Sequence, residues 1–240
     1  MKTVVITGAS IGLGKALTIA FAKQGYNLAI CARGEERLME VKRIAEELGS
    51  DVLAVKADVT NQRDIETFIS MTESRFGHID VLINNAAVLG PSPMPLLLDY
   101  SDDDFMNVLR ANTLSPFMVM KRVLPGMLQR NEGTIINVTS EAGQTGYAGW
   151  GAYGISKFAL EGLTETWADE LSDTGIRINM IDPGSMNTDM YALAVPDNEE
   201  KLAKPEEVVD AFLYLASDVS RNISGKRIEA QMFESKQEGL

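Results

Sequence analysis

Short apolar runs alternate with helix-length amphipathic segments along this chain. TVVIT precedes a segment whose apolar residues recur at helical spacing from about Gly12 to Lys23. NLAICA leads into Glu35–Leu48, DVLAVKA leads into Asn61–Phe76, and VLIN closes this half. The second half predicts a long helix from about Asp102 to Gln129, the strand TIINV, a helix from Tyr153 to Leu171, the strand RINMID, a helix after Pro205 and a short run KRIEA. Seven strands and six major helices are expected in all. The strands are continuously apolar instead of alternating, which predicts an α/β fold whose parallel sheet is covered by helices on both faces through right-handed crossovers. In SDDDF, Ser101 is placed to cap a helix that carries three carboxylates in its first turn, and KPEE places Pro205 at a first helical position. The least regular stretches are 87–100 and 184–203.

Composition narrows what such a fold could do. At 240 residues, 45% hydrophobic and 23% charged, the chain suits one α/β domain over residues 1–240 with a buried core. A formal charge of −12 and the lack of a basic run argue against nucleic acid and against anionic membrane surfaces as partners. The opening MKTVVITG is a poor secretory signal and no run reaches the length of a membrane span, so the expected location is cytoplasmic. Cys31 is the only cysteine and lies in an apolar run, where it reads as a small core residue. His78 is the only histidine and sits in the Gly-containing turn before VLIN, which leaves no His-rich metal site. The carboxylates lie on helix faces without metal-ligand spacing, so no metal is expected.

The loop GASIGLGKA, between the first strand and the first helix, is built to approach a phosphate. A P-loop would need four residues before a Gly-Lys-Ser/Thr, but five separate Gly8 from Gly14 and Ala16 follows Lys15, so the magnesium-binding hydroxyl is missing. A dinucleotide loop, with its pyrophosphate at a helix N-terminus, fits the strand-loop-helix setting, although the spacing Gly8-x-x-x-Gly12-x-Gly14 differs from the common G-x-G-x-x-G. In GAYGISK, Tyr153 and Lys157 stand one helical turn apart on one face. An ammonium beside a phenol favours the phenolate, so the lysine is expected to lower the tyrosine pKa.

TGASIGLG, NNAA at Asn84–Ala87, INVTSEAG, YGISK thirteen residues after Ser140, and DPGSMNT resemble, in order and spacing, the short-chain dehydrogenase/reductase family. The resemblance covers nearly the whole chain and is strongest to the short single-domain type, similar to 3-oxoacyl-[acyl-carrier-protein] reductase-like carbonyl reductases. It implies a doubly wound Rossmann fold and a hydride transfer between a nicotinamide cofactor and a carbonyl or secondary alcohol. It implies Tyr153 as general acid/base, Lys157 as the ribose-binding residue that lowers the tyrosine pKa, and Ser140 as the hydrogen-bond donor to the substrate oxygen. Asn112 corresponds to the asparagine that positions a water relaying protons to Lys157. For the cofactor, the resemblance implies Gly8, Ser10, Ile11, Gly12 and Gly14 at the pyrophosphate, and Asp58 and Val59 at the adenine. Asn85 and Ala86 correspond to the adenine-ribose segment, and Ile181, Pro183, Gly184 and Thr188 to the segment at the nicotinamide.

Cofactor choice rests on the end of the second strand, where an aspartate would pair with the ribose hydroxyls of NAD. Ala32 occupies that position and Arg33 follows, a planar cation suited to the 2′-phosphate, so NADP(H) is expected. Ala87 stands where the family usually has glycine, and SGKRIEAQMF replaces the frequent Asp-Gly-Gly ending, a departure expected to bear on assembly and not on the catalytic residues. A lid at about 184–204, with Met186, Met190, Tyr191 and Leu193, is expected to enclose an apolar substrate pocket with Leu89, Gln144, Tyr147 and Trp150. Family members commonly assemble through the helix near 102–129 and the one carrying Tyr153, so a homodimer or homotetramer is expected. A non-catalytic NADP-binding sensor is the alternative reading, against which the intact Asn112, Ser140, Tyr153 and Lys157 weigh. A sugar-nucleotide epimerase would need a longer C-terminal region than this chain has.

Overall fold

The computed structural model describes residues 1–234, so the last six positions of the expected 1–240 unit lie outside the described residues. Seven strands form one parallel sheet: β1 Thr3–Thr7, β2 Asn27–Ala32, β3 Val52–Lys56, β4 Val81–Asn84, β5 Gly133–Val138, β6 Ile176–Asp182 and β7 Arg227–Glu229. Their spatial order is β3-β2-β1-β4-β5-β6-β7. The chain leaves β1 in one direction to build β2 and β3, then returns to lay β4 on the other side. This reversal opens a crevice beyond the carboxyl ends of β1 and β4, the place where doubly wound sheets bind ligands.

Side chains along β1 alternate between two cores. Val4 and Ile6 join Leu17 and Phe21 of α1 (Gly12–Lys23), Leu38 of α2 (Glu35–Glu47) and Phe212 on one face. Val5 points the other way, toward Phe68 and Ile69 of α3 (Gln62–Phe76) and toward Met120 and Met127. Both faces of β1, β5 and β6 are buried throughout, as the unbroken apolar runs predict.

The helix expected over Asp102–Gln129 is two helices, α4 (Asp102–Leu109) and α5 (Ser115–Arg130), joined by one widened turn at Arg110–Leu114. Here the Ser115 N–H reaches five residues back to the Arg110 carbonyl, and its hydroxyl donates to the same oxygen at 2.9 Å. Pro116 lies one residue further on. It has no N–H, so the Asn112 carbonyl loses its normal donor four residues ahead. Apolar periodicity does not register a single extra residue in a turn.

The helix carrying Tyr153, α6, starts at Gly151 and ends at Glu170. Inside the stretch expected to be irregular, a short helix α7 (Asp189–Ala194) is capped by the Thr188 hydroxyl, which accepts from Tyr191 N at 3.3 Å. After Pro205 comes one tight turn and then α8 (Val209–Ala216). Ser101 caps α4 as expected, accepting from Asp104 N at 3.1 Å. Among the described residues, no helix is long and apolar enough to cross a membrane.

Candidate active site

The loop after β1 is pressed against the end of β4. A Cβ at Gly8, where φ is +68°, would stand 2.8 Å from the Ala86 Cα, and one at Gly14 would overlap the Gly8 carbonyl oxygen. The Asn85 amide donates to the carbonyls of Thr7 and Gly8 at 2.9 and 3.0 Å, while the Thr7 hydroxyl accepts from the N–H groups of Asn85 and Ala86, each at 3.1 Å. The loop is thereby fixed to both strands flanking the crevice. Helix α1 starts beneath it with no side-chain cap and no acidic residue in its first turn. Its free N–H groups and positive dipole end line the crevice, a ready seat for a pyrophosphate.

The crevice is a cleft of about 1240 Å³. Gly8, Ser10, Ile11, Gly12 and Gly14 line it, with Arg33, Asp58 and Val59 toward the β2 and β3 ends and Asn85 and Ala86 at β4. Ser140, Tyr153, Lys157, Pro183, Gly184 and Thr188 line it beyond the ends of β5 and β6. Of the residues expected to act, only Asn112 and Ile181 are not on its wall. Arg33 is exposed to solvent and leaves its guanidinium available at the mouth. Among the expected substrate contacts, Leu89, Tyr147, Trp150, Met186, Met190 and Tyr191 line the cleft. Gln144 and Leu193 do not. Both are exposed, because Gln144 closes the turn after Ser140 and Leu193 lies on the outer face of α7.

Ser140 continues β5 in extended conformation, and its hydroxyl caps the following turn by accepting from Ala142 N at 3.3 Å. Tyr153 is only 8% exposed and shares the cleft wall with Ser140. Burial pushes the Tyr153 phenol up to about 12, with the nearby Ser140 hydroxyl opposing the rise and the Asp182 carboxylate adding to it. Lys157 is also buried and donates through Nζ to the Val138 carbonyl at 2.7 Å. Burial lowers its pKa to about 8, against the pull of Asp182 and Glu161. The phenol is thus raised, where a lowering by Lys157 is expected; Nζ lies 5.5 Å from the centre of the Tyr153 ring, and burial is the largest influence on the phenol.

Asn112 holds the wall behind these residues. Its Oδ1 accepts from Val88 N at 2.8 Å, and its Nδ2 donates to the Val88 carbonyl at 2.9 Å and to Ser156 Oγ at 3.0 Å. Both amide hydrogens are thus committed within the protein. Because Pro116 has no N–H, the Asn112 carbonyl lacks its usual helical donor.

Some residues around the site have no signature in the sequence. Arg227 ion-pairs with Asp182 at 2.6 Å and with Glu161 at 3.2 Å, both beside Lys157. Gln231 donates to the carbonyls of Pro183 and Ser185 at 3.0 and 2.9 Å and so buttresses the Gly184 loop. Both belong to SGKRIEAQMF, so this departure from the family pattern reaches neighbours of the proposed catalytic residues without bonding to those residues themselves. Cys31 is fully buried, its thiol pushed up to about 12 by burial, and His78 lies half exposed away from the cleft, 3.4 Å from Asp80.

Comparison with known proteins adds to this geometry. A family profile described as short chain dehydrogenase matches residues 2–199. The 3-oxoacyl-[acyl-carrier-protein] reductase FabG of Thermotoga maritima is 34% identical over 237 residues, covering 95% of each chain. Among solved structures, a short chain dehydrogenase homologue from Shigella flexneri complexed with NADP superposes with a TM-score of 0.89 at 29% identity, over 96% of this chain and 97% of that one. An NAD+-bound xylitol dehydrogenase superposes with a TM-score of 0.87 at 28% identity, over 95% of this chain and 96% of that one.

Proposed function

The chain belongs to the short-chain dehydrogenase family and is a nicotinamide-dependent oxidoreductase, and from that premise we propose that it uses NADP(H) to interconvert a carbonyl and a secondary alcohol with Tyr153 as the general acid/base. One observation carries the reading: the buried Tyr153 and the neighbouring Ser140 line the same cleft as the uncapped start of α1 and the exposed Arg33.

The residues present suit the cofactor. Gly8, Ser10, Ile11, Gly12 and Gly14 would hold the pyrophosphate, Asp58 and Val59 the adenine, and Asn85 and Ala86 its ribose. Pro183, Gly184 and Thr188 would hold the nicotinamide end. Arg33 favours NADP over NAD, because its fork matches a 2′-phosphate and no carboxylate at Ala32 repels one. The bound nicotinamide supplies or accepts the hydride. Tyr153 gives its proton to the oxygen of the carbonyl as negative charge develops there, and takes one back in alcohol oxidation. Ser140 donates a hydrogen bond to the same oxygen and stabilises that charge. Lys157 binds the nicotinamide ribose and, as an ammonium, helps Tyr153 release its proton. The freed Asn112 carbonyl holds a water through which the proton is replaced.

We read residues 1–240 as a single cofactor-binding unit in which 184–204, with α7, forms a short lid over an apolar pocket. The NADP-complexed structure favours the same cofactor, while the NAD+-bound xylitol dehydrogenase leaves the weight of the choice on Arg33. The test is NADPH consumption by the purified chain across ketones, aldehydes, quinones and 3-oxoacyl thioesters. Turnover with NADPH preferred over NADH is expected. Tight NADPH binding with no turnover anywhere in the panel would favour the sensor reading instead.

A further inference from the structure

Lys157 sits in a place that works against its charge. It is 3% exposed, and among the described residues it makes no direct ion pair; its Nζ hydrogen bond goes to the neutral Val138 carbonyl. Two carboxylates are buried near it, Glu161 one turn further along α6 and Asp182 at the end of β6, each 7% exposed. Arg227 of β7 reaches both, through Nε to Glu161 Oε1 at 3.2 Å and through Nη2 to Asp182 Oδ2 at 2.6 Å. Each carboxylate also has a second donor: the Thr139 hydroxyl gives to Glu161 at 2.6 Å and Gly184 N gives to Asp182 at 2.8 Å. Arg227 is held in turn by Glu229 at the surface, 3.0 Å from Nη1.

Buried carboxylates keep their charge only when paired and hydrogen-bonded, and both conditions are met here. One guanidinium against two inner carboxylates leaves one negative charge in surplus. We propose that Arg227, Glu161 and Asp182 form a buried clamp whose surplus negative charge keeps Lys157 an ammonium, which makes Arg227 of the C-terminal strand a positioning residue for the reaction. The Tyr153 ring packs on the other side of the ammonium and carries no charge at neutral pH. Arg227 thus holds the two carboxylates in place beside the lysine from a strand that begins 70 residues further along the chain (227 − 157). The proposal rests on reading Lys157 as the cofactor-binding lysine, but its electrostatic claim can be tested without substrate.

The experiment follows the Cε resonances of isotope-labelled lysine in the full cofactor-free chain as pH is raised, with Lys157 assigned by its loss in Lys157→Arg. Lys157 should titrate well below the surface lysines. In Glu161→Gln, which can still accept from Thr139, its midpoint should fall further, by about one unit or more, because an opposing charge has gone. Adding Arg227→Met to Glu161→Gln removes one charge of each sign and should bring the midpoint back toward that of the unsubstituted chain. General damage to packing would instead make the double variant worse than the single one. Circular dichroism verifies that each variant folds. A Lys157 midpoint unmoved by Glu161→Gln, or a double variant no closer to the original than the single one, would overturn the clamp. The NADPH consumption panel decides the enzyme reading separately.

Discussion

At Tyr153 and Lys157, burial drives the two partners in opposite directions, the phenol up to about 12 and the ammonium down to about 8. At neutral pH both still hold their protons, the state in which an acid is ready to donate to a carbonyl. The spacing of this pair on one helix face was legible in the sequence, as was Ser140 at a strand end. Their titration was not, because it depends on desolvation and on Asp182 and Glu161, which no local pattern brings together. Arg227 was illegible for the same reason: a charged residue in a three-residue edge strand reads as solvent-exposed, and its partners lie 45 and 66 positions away. Arg33 yields the sharpest prediction at this scale. A charge-assisted contact to a 2′-phosphate contributes about 1.5–3 kcal/mol, so Arg33→Asp should weaken NADPH binding roughly 10- to 100-fold and favour NADH. Fluorescence titration with both nucleotides measures this, and unchanged relative affinities would remove Arg33 from cofactor choice.

Among the elements, the break between α4 and α5 matters most to the site. The wide turn at Arg110–Leu114 carries Asn112 into a position where its amide satisfies both backbone groups of Val88. Asn112→Ala would leave the part-buried N–H and carbonyl of Val88 without these partners, each costing up to about 1–3 kcal/mol. A stability loss of about 1–3 kcal/mol in denaturant unfolding is expected, larger than a solvent-facing helix asparagine would give. A parallel sheet covered on both faces follows from the apolar runs and the strand-helix alternation, which is why it was readable in advance; its doubly wound order came from the family resemblance. The wide turn, α7 and the tight turn at Pro205 were not readable, since each depends on one or two residues such as Pro116 and Thr188, too few to alter a periodicity. The glycine loop lies between these cases: its residues were evident, and the fit of Gly8 against Ala86 explains why that spacing works.

As a whole molecule, the chain combines a cleft open to solvent with an apolar surface on its helices. Ile155 and Phe158 of α6, 39% and 45% exposed, share a face, and Met106 of the adjacent α4 is 57% exposed. Such a surface suits a second copy of the chain, and a dimer or tetramer mass is expected by light scattering at micromolar concentration; Phe158→Glu should shift it toward monomer. A monomeric native chain would contradict assembly through these helices. The most direct test of the central claim is Tyr153→Phe in the NADPH consumption assay, run on whichever carbonyl the unsubstituted chain reduces. The substitution removes one hydroxyl and leaves the ring, so NADPH binding should persist while turnover falls by about 100-fold or more. Retained turnover in a variant that still binds NADPH would show that the proton comes from elsewhere and would contradict the account.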